Sequence, residues 1–306
     1  MTQIGFEGRV VVVTGAGNGL GRAYAKAFAA RGAKVLVNDL GGLAQGGGSD
    51  SSVAEAVVDE IRRAGGEAAA NVDSVEDGAR IVQSALDHFG RIDVVINNAG
   101  ILRDAAFHKM TEDDWDAIFR VHVRGSFQVT RAAWPHLRTQ GYGRIVMTAS
   151  GAGVYGNFGQ ANYAAAKLGL FGFAQTLAIE GASRNIRVNT IAPVAASRLT
   201  ENVLPKEVLA ALKPELVVPL ALLLGSESCD TSGQLFEVGG GCVARLRWER
   251  SQPVAFPAGE SFTVEQLAAK WRMLQSFANA DHPATVADSF ALIGRNAGVD
   301  ARLAPR

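Results

Sequence analysis

The chain has 306 residues, of which 48% are hydrophobic and 20% charged, so it can bury a sizeable core and is not a disordered chain. Its 30 basic residues balance its 30 acidic ones, which gives no electrostatic basis for binding nucleic acid or an anionic membrane. Two cysteines, Cys229 and Cys242, are too few for a disulfide framework and lack zinc-ligand spacing.

From residue 9 onward, short apolar runs alternate with amphipathic stretches. Strands are predicted over 9–15, 33–40, 67–73, 91–100, 143–150, 186–193 and 233–241. Helices are predicted between them, the longest over about 112–139. Strands this apolar are covered on both faces, and right-handed crossovers through the helices make the sheet doubly wound. We therefore predict an α/β fold: a Rossmann-like parallel sheet of about seven strands with helices on both faces.

Two segments interrupt this alternation. Residues 41–50, GGLAQGGGSD, are expected to be a flexible surface connection. After Glu249 the chain becomes polar and rich in Pro and Gly, and then offers one more helix within residues 263–280. We expect one domain over residues 1–249 and a C-terminal extension over 250–306 with this one helix.

A glycine turn follows the first strand, in VVVVTGAGNGLGRA. Glycines there let the backbone approach a pyrophosphate, and the helix that follows presents free N–H groups and the positive end of its dipole. The spacing is G-x-x-x-G-x-G, which differs from the common G-x-G-x-x-G fingerprint. The residues predicted to hold a dinucleotide here are Gly15, Gly17, Asn18, Gly19, Leu20 and Gly21.

Carboxylates end the second and third strands. Asp39, eighteen residues after Gly21, can accept hydrogen bonds from ribose hydroxyls and would repel a 2′-phosphate. Its neighbours Asn38 and Leu40 carry no positive charge, so the cofactor is predicted to be NAD and not NADP. Asp73 has two open interpretations: contact with the adenine edge, or a turn residue before the next helix.

NNAG, residues 97–100, closes the fourth strand at the edge of the sheet where ligands bind in doubly wound folds. Asn97 and Asn98 could contact the cofactor or brace neighbouring backbone, and we expect a share of both roles. Asn98, Ala99 and Gly100 are included in the predicted cofactor site.

Three residues predict proton-transfer chemistry. Ser150 ends the fifth strand, and Tyr163 and Lys167 lie four apart on one face of the following helix. A phenol has a reference pKa of about 10, but a nearby ammonium and an oxidised nicotinamide would favour its phenolate form. Tyr163 is then a candidate general base toward a substrate hydroxyl, and Ser150 can hydrogen-bond the same oxygen.

TGAGNGLG, NNAG, Ser150 and YAAAK occur in the order and spacing of the short-chain dehydrogenase/reductase family, which residues 6–245 resemble. The resemblance implies that Ser150, Tyr163 and Lys167 are catalytic and that Tyr163 and Lys167 also contact the cofactor. It places Pro193 and Ser197 beside the nicotinamide. The family usually carries Pro-Gly after the sixth strand, where this chain has Pro193 followed by Val194.

Within the family, the chain resembles the (3R)-hydroxyacyl-CoA dehydrogenase units of multifunctional enzymes of type 2, also called 17β-hydroxysteroid dehydrogenases type 4. NDLGG, RVHVRGSFQVTRAAW, YGNFGQANYAAAKLGL and FEVGGGCVARLRWER carry this likeness. His122 stands where the wider family usually has a catalytic Asn; it is a candidate for holding a relay water, or else a core histidine. The implied reaction is oxidation of a secondary alcohol, (3R)-3-hydroxyacyl-CoA, in fatty-acid or sterol side-chain β-oxidation.

Three alternatives stay open at this point: a 17β-hydroxysteroid dehydrogenase, a 3-oxoacyl-acyl-carrier-protein reductase, and a non-catalytic NAD-binding regulatory protein. The resemblance implies a small-molecule substrate (an acyl-CoA or a steroid), a homodimer or higher homo-oligomer, and a separate enoyl-CoA hydratase as a further partner. MTQIGFEGRVVVVTG has no secretory pattern, no apolar run reaches the ~18 residues of a membrane span, and LAPR matches no peroxisomal address. These features predict a cytoplasmic protein without a metal.

Overall fold

Four consecutive valines make up most of the first strand of the sheet. The computed structural model describes residues 3–196 and 206–298. Its strands are β1 (Val10–Thr14), β2 (Lys34–Asn38), β3 (Glu67–Asn71), β4 (Val94–Asn97), β5 (Gly143–Thr148), β6 (Ile186–Val194), β7 (Leu235–Gly239) and β8 (Cys242–Leu246). They lie in one sheet in the order β3-β2-β1-β4-β5-β6-β7-β8. β1 pairs in parallel with both β2 and β4, so the strand order reverses at β1 and opens a crevice there.

The predicted doubly wound fold is confirmed, with one strand more than expected. β8 follows β7 after Gly240 and Gly241, which have φ of 56° and 83°. A two-residue turn with both φ values positive joins antiparallel neighbours, so β8 is a hairpin partner for β7. Its side chains are mostly exposed and show no alternation of apolar and polar residues, which is why the sequence pattern did not predict this strand.

Helices and short 3₁₀ turns connect these strands. The helices are α1 (Gly19–Ala29), α2 (Ser52–Arg63), α3 (Gly78–Phe89), α4 (Glu112–Ile118), α5 (Gly125–Gln140), α6 (Gly151–Tyr155), α7 (Ala161–Gly181), α8 (Lys206–Ala211), α9 (Val218–Gly225), α10 (Val264–Ala269), α11 (Trp271–Leu274) and α12 (Val286–Ala297). The 3₁₀ turns are Val75–Asp77, Phe107–Lys109, Ala182–Arg184 and Pro214–Leu216. Pro219 lies in the first turn of α9, where its missing N–H interrupts no helical hydrogen bond.

Two hydrophobic cores cover the two faces of the sheet. Val11 and Val13 of β1 pack into the cluster that contains Phe28 of α1. Val12, between them, belongs to the other cluster with Leu137 of α5. Because successive strand residues point to opposite faces, a run of valines serves both cores at once.

The helix predicted over 112–139 is interrupted. α4 ends at Ile118, a π-helical turn occupies Phe119–Arg124, and α5 begins at Gly125. A π-turn inserts an extra residue into the helical ladder and often marks a functional site. This turn carries His122, which is buried. Hydrophobic periodicity does not resolve one extra residue, so the sequence pattern predicted an unbroken helix.

The chain divides into two compact units, with the boundary in the sequence between Arg245 and Leu246. In the second unit, α10 ends at Ala269, and α11 and α12 follow, where one helix had been predicted. Arg250 pairs with Asp281 at 2.7 Å inside this unit. Across the residues that the structure describes, no helix combines the length and apolarity needed to cross a membrane.

Leu137→Ala should test the core between α5 and the sheet. Leu137 is fully buried, so the truncation should lower the free energy of unfolding by about 2–5 kcal/mol, measured by urea denaturation. Leu223→Ala, on the half-exposed face of α9, is the matched control and should cost about 1 kcal/mol or less. Equal losses in the two variants would contradict the assignment of Leu137 to the core.

Candidate active site

A cleft of about 940 Å³ lies at the carboxyl ends of the strands, the edge predicted from the sheet topology. The structure brings most of the predicted site residues to its walls. They are Gly15, Asn18, Gly19, Leu20, Asp39, Asp73, Asn98, Ala99, Gly100, Ser150, Tyr163 and Pro193. Ser197 lies outside the described residues.

The glycine turn leaves the start of α1 open for an anion. Asn18 precedes the helix without capping it through its side chain, and the first turn contains no acidic residue. The backbone N–H groups and the positive end of the helix dipole are therefore available to a ligand. Gly21 is packed so closely that an added Cβ would lie 2.1 Å from the carbonyl oxygen of Gly15. This cradle fits the pyrophosphate of a dinucleotide.

Asp39 is held against the glycine turn. Its Oδ2 accepts a hydrogen bond from the Gly17 N–H at 2.7 Å, and its Oδ1 accepts one from the Gly41 N–H at 2.7 Å. Each carboxylate oxygen has a second lone pair that can accept from a ribose hydroxyl. The Asp39 carboxylate is therefore held in one orientation at this wall of the cleft.

Asp73 serves the protein structure as well as the cleft. Its Oδ2 accepts from the Asn71 amide at 2.8 Å, and its Oδ1 pairs with Arg80 Nε at 2.8 Å. The capping role before the next turn belongs to Ser74, whose hydroxyl accepts from the Glu76 N–H. Asp73 remains on the cleft wall, so contact with the adenine edge is still a prediction.

The two asparagines after β4 brace the crevice. The Asn98 amide donates to the carbonyl oxygens of Thr14 and Gly15, at 3.0 and 3.1 Å, and so joins β4 to the glycine turn. Asn97 is buried, and its amide donates to Thr130 Oγ1 at 2.9 Å. The bracing role is thus visible for both residues, and Asn98 also lines the cleft.

Residues 41–50 are not a free surface connection, contrary to the prediction. The Leu102 N–H donates to the Ala44 carbonyl at 3.0 Å, which holds this loop to the segment after β4. Gly42, Leu43 and Gly46 line the cleft. The sequence showed only glycine content, which predicts freedom of the backbone but not the partner that restrains it.

Ser150 precedes α6 and points its hydroxyl into the cleft. Its Oγ accepts a hydrogen bond from the Ala152 N–H at 3.2 Å, which leaves its own hydrogen free to donate. Lys167 is buried one turn after Tyr163, and its Nζ donates to the Thr148 carbonyl at 2.6 Å. The same Nζ lies 5.4 Å from the centroid of the Tyr163 ring. Phenol, hydroxyl and amine therefore converge at one place.

Burial controls the protonation of this group. It raises the pKa of Tyr163 to about 12, although a hydrogen bond with Ser150 acts in the opposite direction. It also lowers the pKa of Lys167 to about 7. Lys167 was expected to favour the phenolate, but the Tyr163 pKa is raised because burial of the phenol is the largest influence on it.

His122 is fully enclosed behind Tyr163. The two rings meet edge to face, with centroids 5.3 Å apart, and His122 Nε2 lies 3.1 Å from the Ile101 N and 2.9 Å from the Ile101 O. Burial, with help from the charge of Lys167, holds the pKa of His122 well below its usual value. The ring is therefore neutral near pH 7 and does not change its charge there, although histidine was expected to do so.

Sequence reasoning missed three polar residues around this cleft. Asp104 and Gln160 are joined by a 2.7 Å hydrogen bond at its rim, and Asn162 is buried beside Tyr163. The sequence shows an asparagine directly before the predicted base. It does not show that this asparagine is buried, or that its hydrogen-bond partners come from distant segments. Periodicity alone could not have identified them.

Comparison with known proteins agrees with this geometry. Residues 9–207 match the short chain dehydrogenase family. The chain is 59% identical over 285 residues to the mouse peroxisomal multifunctional enzyme type 2, covering 93% of this chain and 39% of the relative. It is 54% identical to a peroxisomal hydratase-dehydrogenase-epimerase of Neurospora crassa, covering 95% of this chain and 33% of the relative.

A solved structure of the full-length Drosophila melanogaster peroxisomal multifunctional enzyme type 2 matches with a TM-score of 0.83 at 41% identity. The match covers 96% of this chain and 50% of that one. The chain therefore spans between a third and a half of the length of these relatives.

These relatives correct one prediction. Because they are described as peroxisomal, the predicted cytoplasmic location is contradicted. The prediction rested on finding no secretory, membrane or peroxisomal address motif in the sequence, and such an absence does not locate a protein. The family match spans most of the residues that form the cleft, and on this evidence the chain belongs to the short-chain dehydrogenase family of oxidoreductases.

Proposed function

We propose that the chain is an NAD-dependent dehydrogenase that oxidises (3R)-3-hydroxyacyl-CoA to 3-oxoacyl-CoA in fatty-acid or sterol side-chain β-oxidation. The observation that carries the proposal is the convergence of Ser150, Tyr163 and Lys167 beside a cleft that Asp39 also lines. The mouse relative is named a peroxisomal multifunctional enzyme type 2 and the Neurospora relative a peroxisomal hydratase-dehydrogenase-epimerase, and these names support a dehydrogenase that acts in sequence with a hydratase.

NAD is the proposed cofactor. The family and fold indicate a nicotinamide cofactor, whose pyrophosphate the glycine turn and the start of α1 would hold. Asp39 is fixed by two backbone N–H groups, so it cannot turn away from an added 2′-phosphate. Repulsion between these anions favours NAD over NADP.

The proposed reaction separates hydride and proton. When bound, NAD supplies the hydride acceptor for the carbinol hydrogen. Tyr163 takes the hydroxyl proton of the substrate through its phenolate oxygen, and it returns a proton in the reverse direction. Ser150, whose Oγ already accepts from the Ala152 N–H, donates its hydrogen to the substrate oxygen and holds it beside Tyr163.

Lys167 has two proposed roles. Its ammonium would donate to the nicotinamide ribose, and it would favour the Tyr163 phenolate when charged. With a pKa of about 7, the amine gains and loses a proton near neutral pH, which suits it to pass on the proton that Tyr163 collects. His122 stays neutral and packs against the phenol ring, so we assign it support of Tyr163 and not proton transfer.

A stereospecific assay tests the function. The enzyme should reduce NAD with a (3R)-3-hydroxyacyl-CoA, and turn over the (3S) isomer and NADP at least about 10²-fold less efficiently. The measurement is kcat/KM followed by NADH absorbance with each substrate and cofactor pair. Turnover of a 17β-hydroxysteroid but of neither acyl-CoA would refute the acyl-CoA proposal. A preference for NADP with acyl-carrier-protein substrates would support the reductase alternative.

Tyr163→Phe tests the proton acceptor. Removal of the hydroxyl should lower kcat by about 10²–10⁴-fold and leave NAD affinity, measured by calorimetry, within about threefold. Tyr155→Phe is the matched control, because Tyr155 lines the same cleft and is exposed, and it should keep kcat within about threefold. In wild type, oxidation should accelerate as pH rises through the neutral range, because burial raises the pKa of Tyr163 to about 12 and the required phenolate becomes more abundant. A flat pH profile with full Tyr163→Phe activity would exclude this role.

A homodimer through α5 and α7 is the proposed assembly. Ile179 on the outside of α7 is 74% exposed, and Phe127 of α5 lies beside Phe173 of α7 with ring centroids 6.4 Å apart. An apolar outer face on packed helices favours contact with a second copy. A separate enoyl-CoA hydratase remains the proposed further partner, in keeping with the name of the Neurospora relative.

Ile179→Glu should convert the proposed dimer to a monomer in sedimentation velocity, because it places a charge in an apolar interface. Leu223→Glu, which is exposed on α9, is the control and should leave the assembly intact. A wild-type chain that sediments as a monomer at micromolar concentration would refute the dimer.

A further inference from the structure

Asn162 directly precedes Tyr163 at the start of α7, and every polar group of its side chain is hydrogen-bonded. It is fully buried. Its Nδ2 donates to the carbonyl oxygens of Arg103 and Asp114, at 3.0 and 3.1 Å, and its Oδ1 accepts from the Tyr163 N–H at 2.7 Å. Two carbonyl partners on one side and an N–H on the other determine the orientation of the amide. Both amide hydrogens and the oxygen are thus engaged inside the protein.

These bonds connect three separate parts of the fold. Arg103 belongs to the segment after β4, Asp114 belongs to α4, and Asn162 belongs to the helix that carries Tyr163 and Lys167. Two further bonds join the same parts nearby, from the Ala105 N–H to the Gly159 carbonyl and from Gln160 to Asp104. The Gln160 bond is exposed to water, whereas Asn162 is sealed in the interior, where a lost partner costs most.

The segment after β4, to which Asn162 is hydrogen-bonded, also contacts His122, the residue that packs against the Tyr163 ring. Ile101, two residues before Arg103, contacts His122 Nε2 through its backbone N–H at 3.1 Å. The His122 ring in turn meets the Tyr163 ring edge to face. Tyr163 is therefore fixed from two directions: its backbone through Asn162, and its ring through His122.

We propose that Asn162 is a positioning residue that sets the Tyr163 hydroxyl relative to Ser150 and Lys167, an inference that rests on the proposed dehydrogenase function. A general base must lie within hydrogen-bond reach of the proton it takes, and small displacements of such groups lower rates steeply. Asn162 acts through the backbone of Tyr163 and touches neither substrate nor cofactor in this assignment. Hence it should govern kcat while leaving NAD binding almost unchanged.

Asn189 provides a matched control. It is likewise buried, its Nδ2 donates to the Thr231 carbonyl at 2.7 Å, and its Oδ1 accepts from the Gln234 N–H at 3.2 Å. These bonds join β6 to the chain before β7, and none of its hydrogen-bond partners lies next to Tyr163. Asn189→Ala therefore removes the same chemistry from the core without releasing the start of α7.

The experiment compares Asn162→Ala, Asn162→Ser and Asn189→Ala. Asn162→Ala should lower kcat about 10- to 100-fold with the KM for NAD within about twofold. Asn162→Ser keeps one donor and should fall between Asn162→Ala and wild type. Asn189→Ala should lose a comparable amount of thermal stability but keep kcat within about threefold. Unchanged kcat in folded Asn162→Ser, or equal kcat losses at both sites, would overturn the proposal.

A spectroscopic measurement separates this proposal from the substrate assignment. The chain has 4 tyrosines, so ring-labelled tyrosine gives a small set of NMR signals, and Tyr163→Phe assigns the one of interest. Asn162→Ser should shift the Tyr163 signal and its titration in the NAD complex, and Asn189→Ala should not. Wild type without hydroxyacyl-CoA turnover would refute the substrate, while this signal would still decide the role of Asn162. If both Asn162 variants fail to fold and Asn189→Ala folds, Asn162 is a folding residue and the proposal is wrong.

Discussion

The side-chain amide of Asn98 joins the ends of β1 and β4, the two strands between which the cleft opens. Strand order reverses at β1, so the chain leaves β1 and β4 in different directions, and a crevice opens between them. The Asn98 side chain donates to the carbonyl oxygens of Thr14 and Gly15 and so keeps the two strand ends together. Gly21 must be small because this amide lies 2.7 Å from where its Cβ would be. The glycine turn, the open start of α1 and the position of Asp39 all depend on this packing.

Burial has opposite effects on the two titratable groups of the chemical end. It makes the Tyr163 phenol a weaker acid and the Lys167 ammonium a stronger one, so both groups are pushed toward their neutral forms. Tyr163 is therefore protonated near neutral pH, whereas Lys167, with a pKa of about 7, carries its proton only part of the time. Buried titratable groups with shifted pKa values are typical of active sites, whereas a purely structural core would avoid them.

The short segment from Ile101 to Ala105 connects the two ends of the cleft. On one side, the Leu102 N–H donates to Ala44 in the glycine-rich loop. On the other side, the Arg103 carbonyl accepts a hydrogen bond from the buried amide of Asn162. The Ala105 N–H donates to the Gly159 carbonyl before α7. These bonds are mostly made by backbone groups, which side-chain patterns in a sequence do not reveal. The glycine-rich loop and the start of α7 are thus joined through one hydrogen-bonded segment.

The sequence by itself determined the α/β class, the parallel strands and the edge of the sheet where the cleft lies. Local properties carry that information: continuous valines in β1, glycines after it, and a separation of four residues between Tyr163 and Lys167. Only the tertiary structure decided the π-turn at His122, the restraint of residues 41–50, the lowered pKa of Lys167 and the bonds of Asn162. Each of these depends on desolvation or on partners far apart in the chain, such as Asn162 and Arg103. Local periodicity contains no record of such contacts, because the fold brings the partners together only after the local elements have formed.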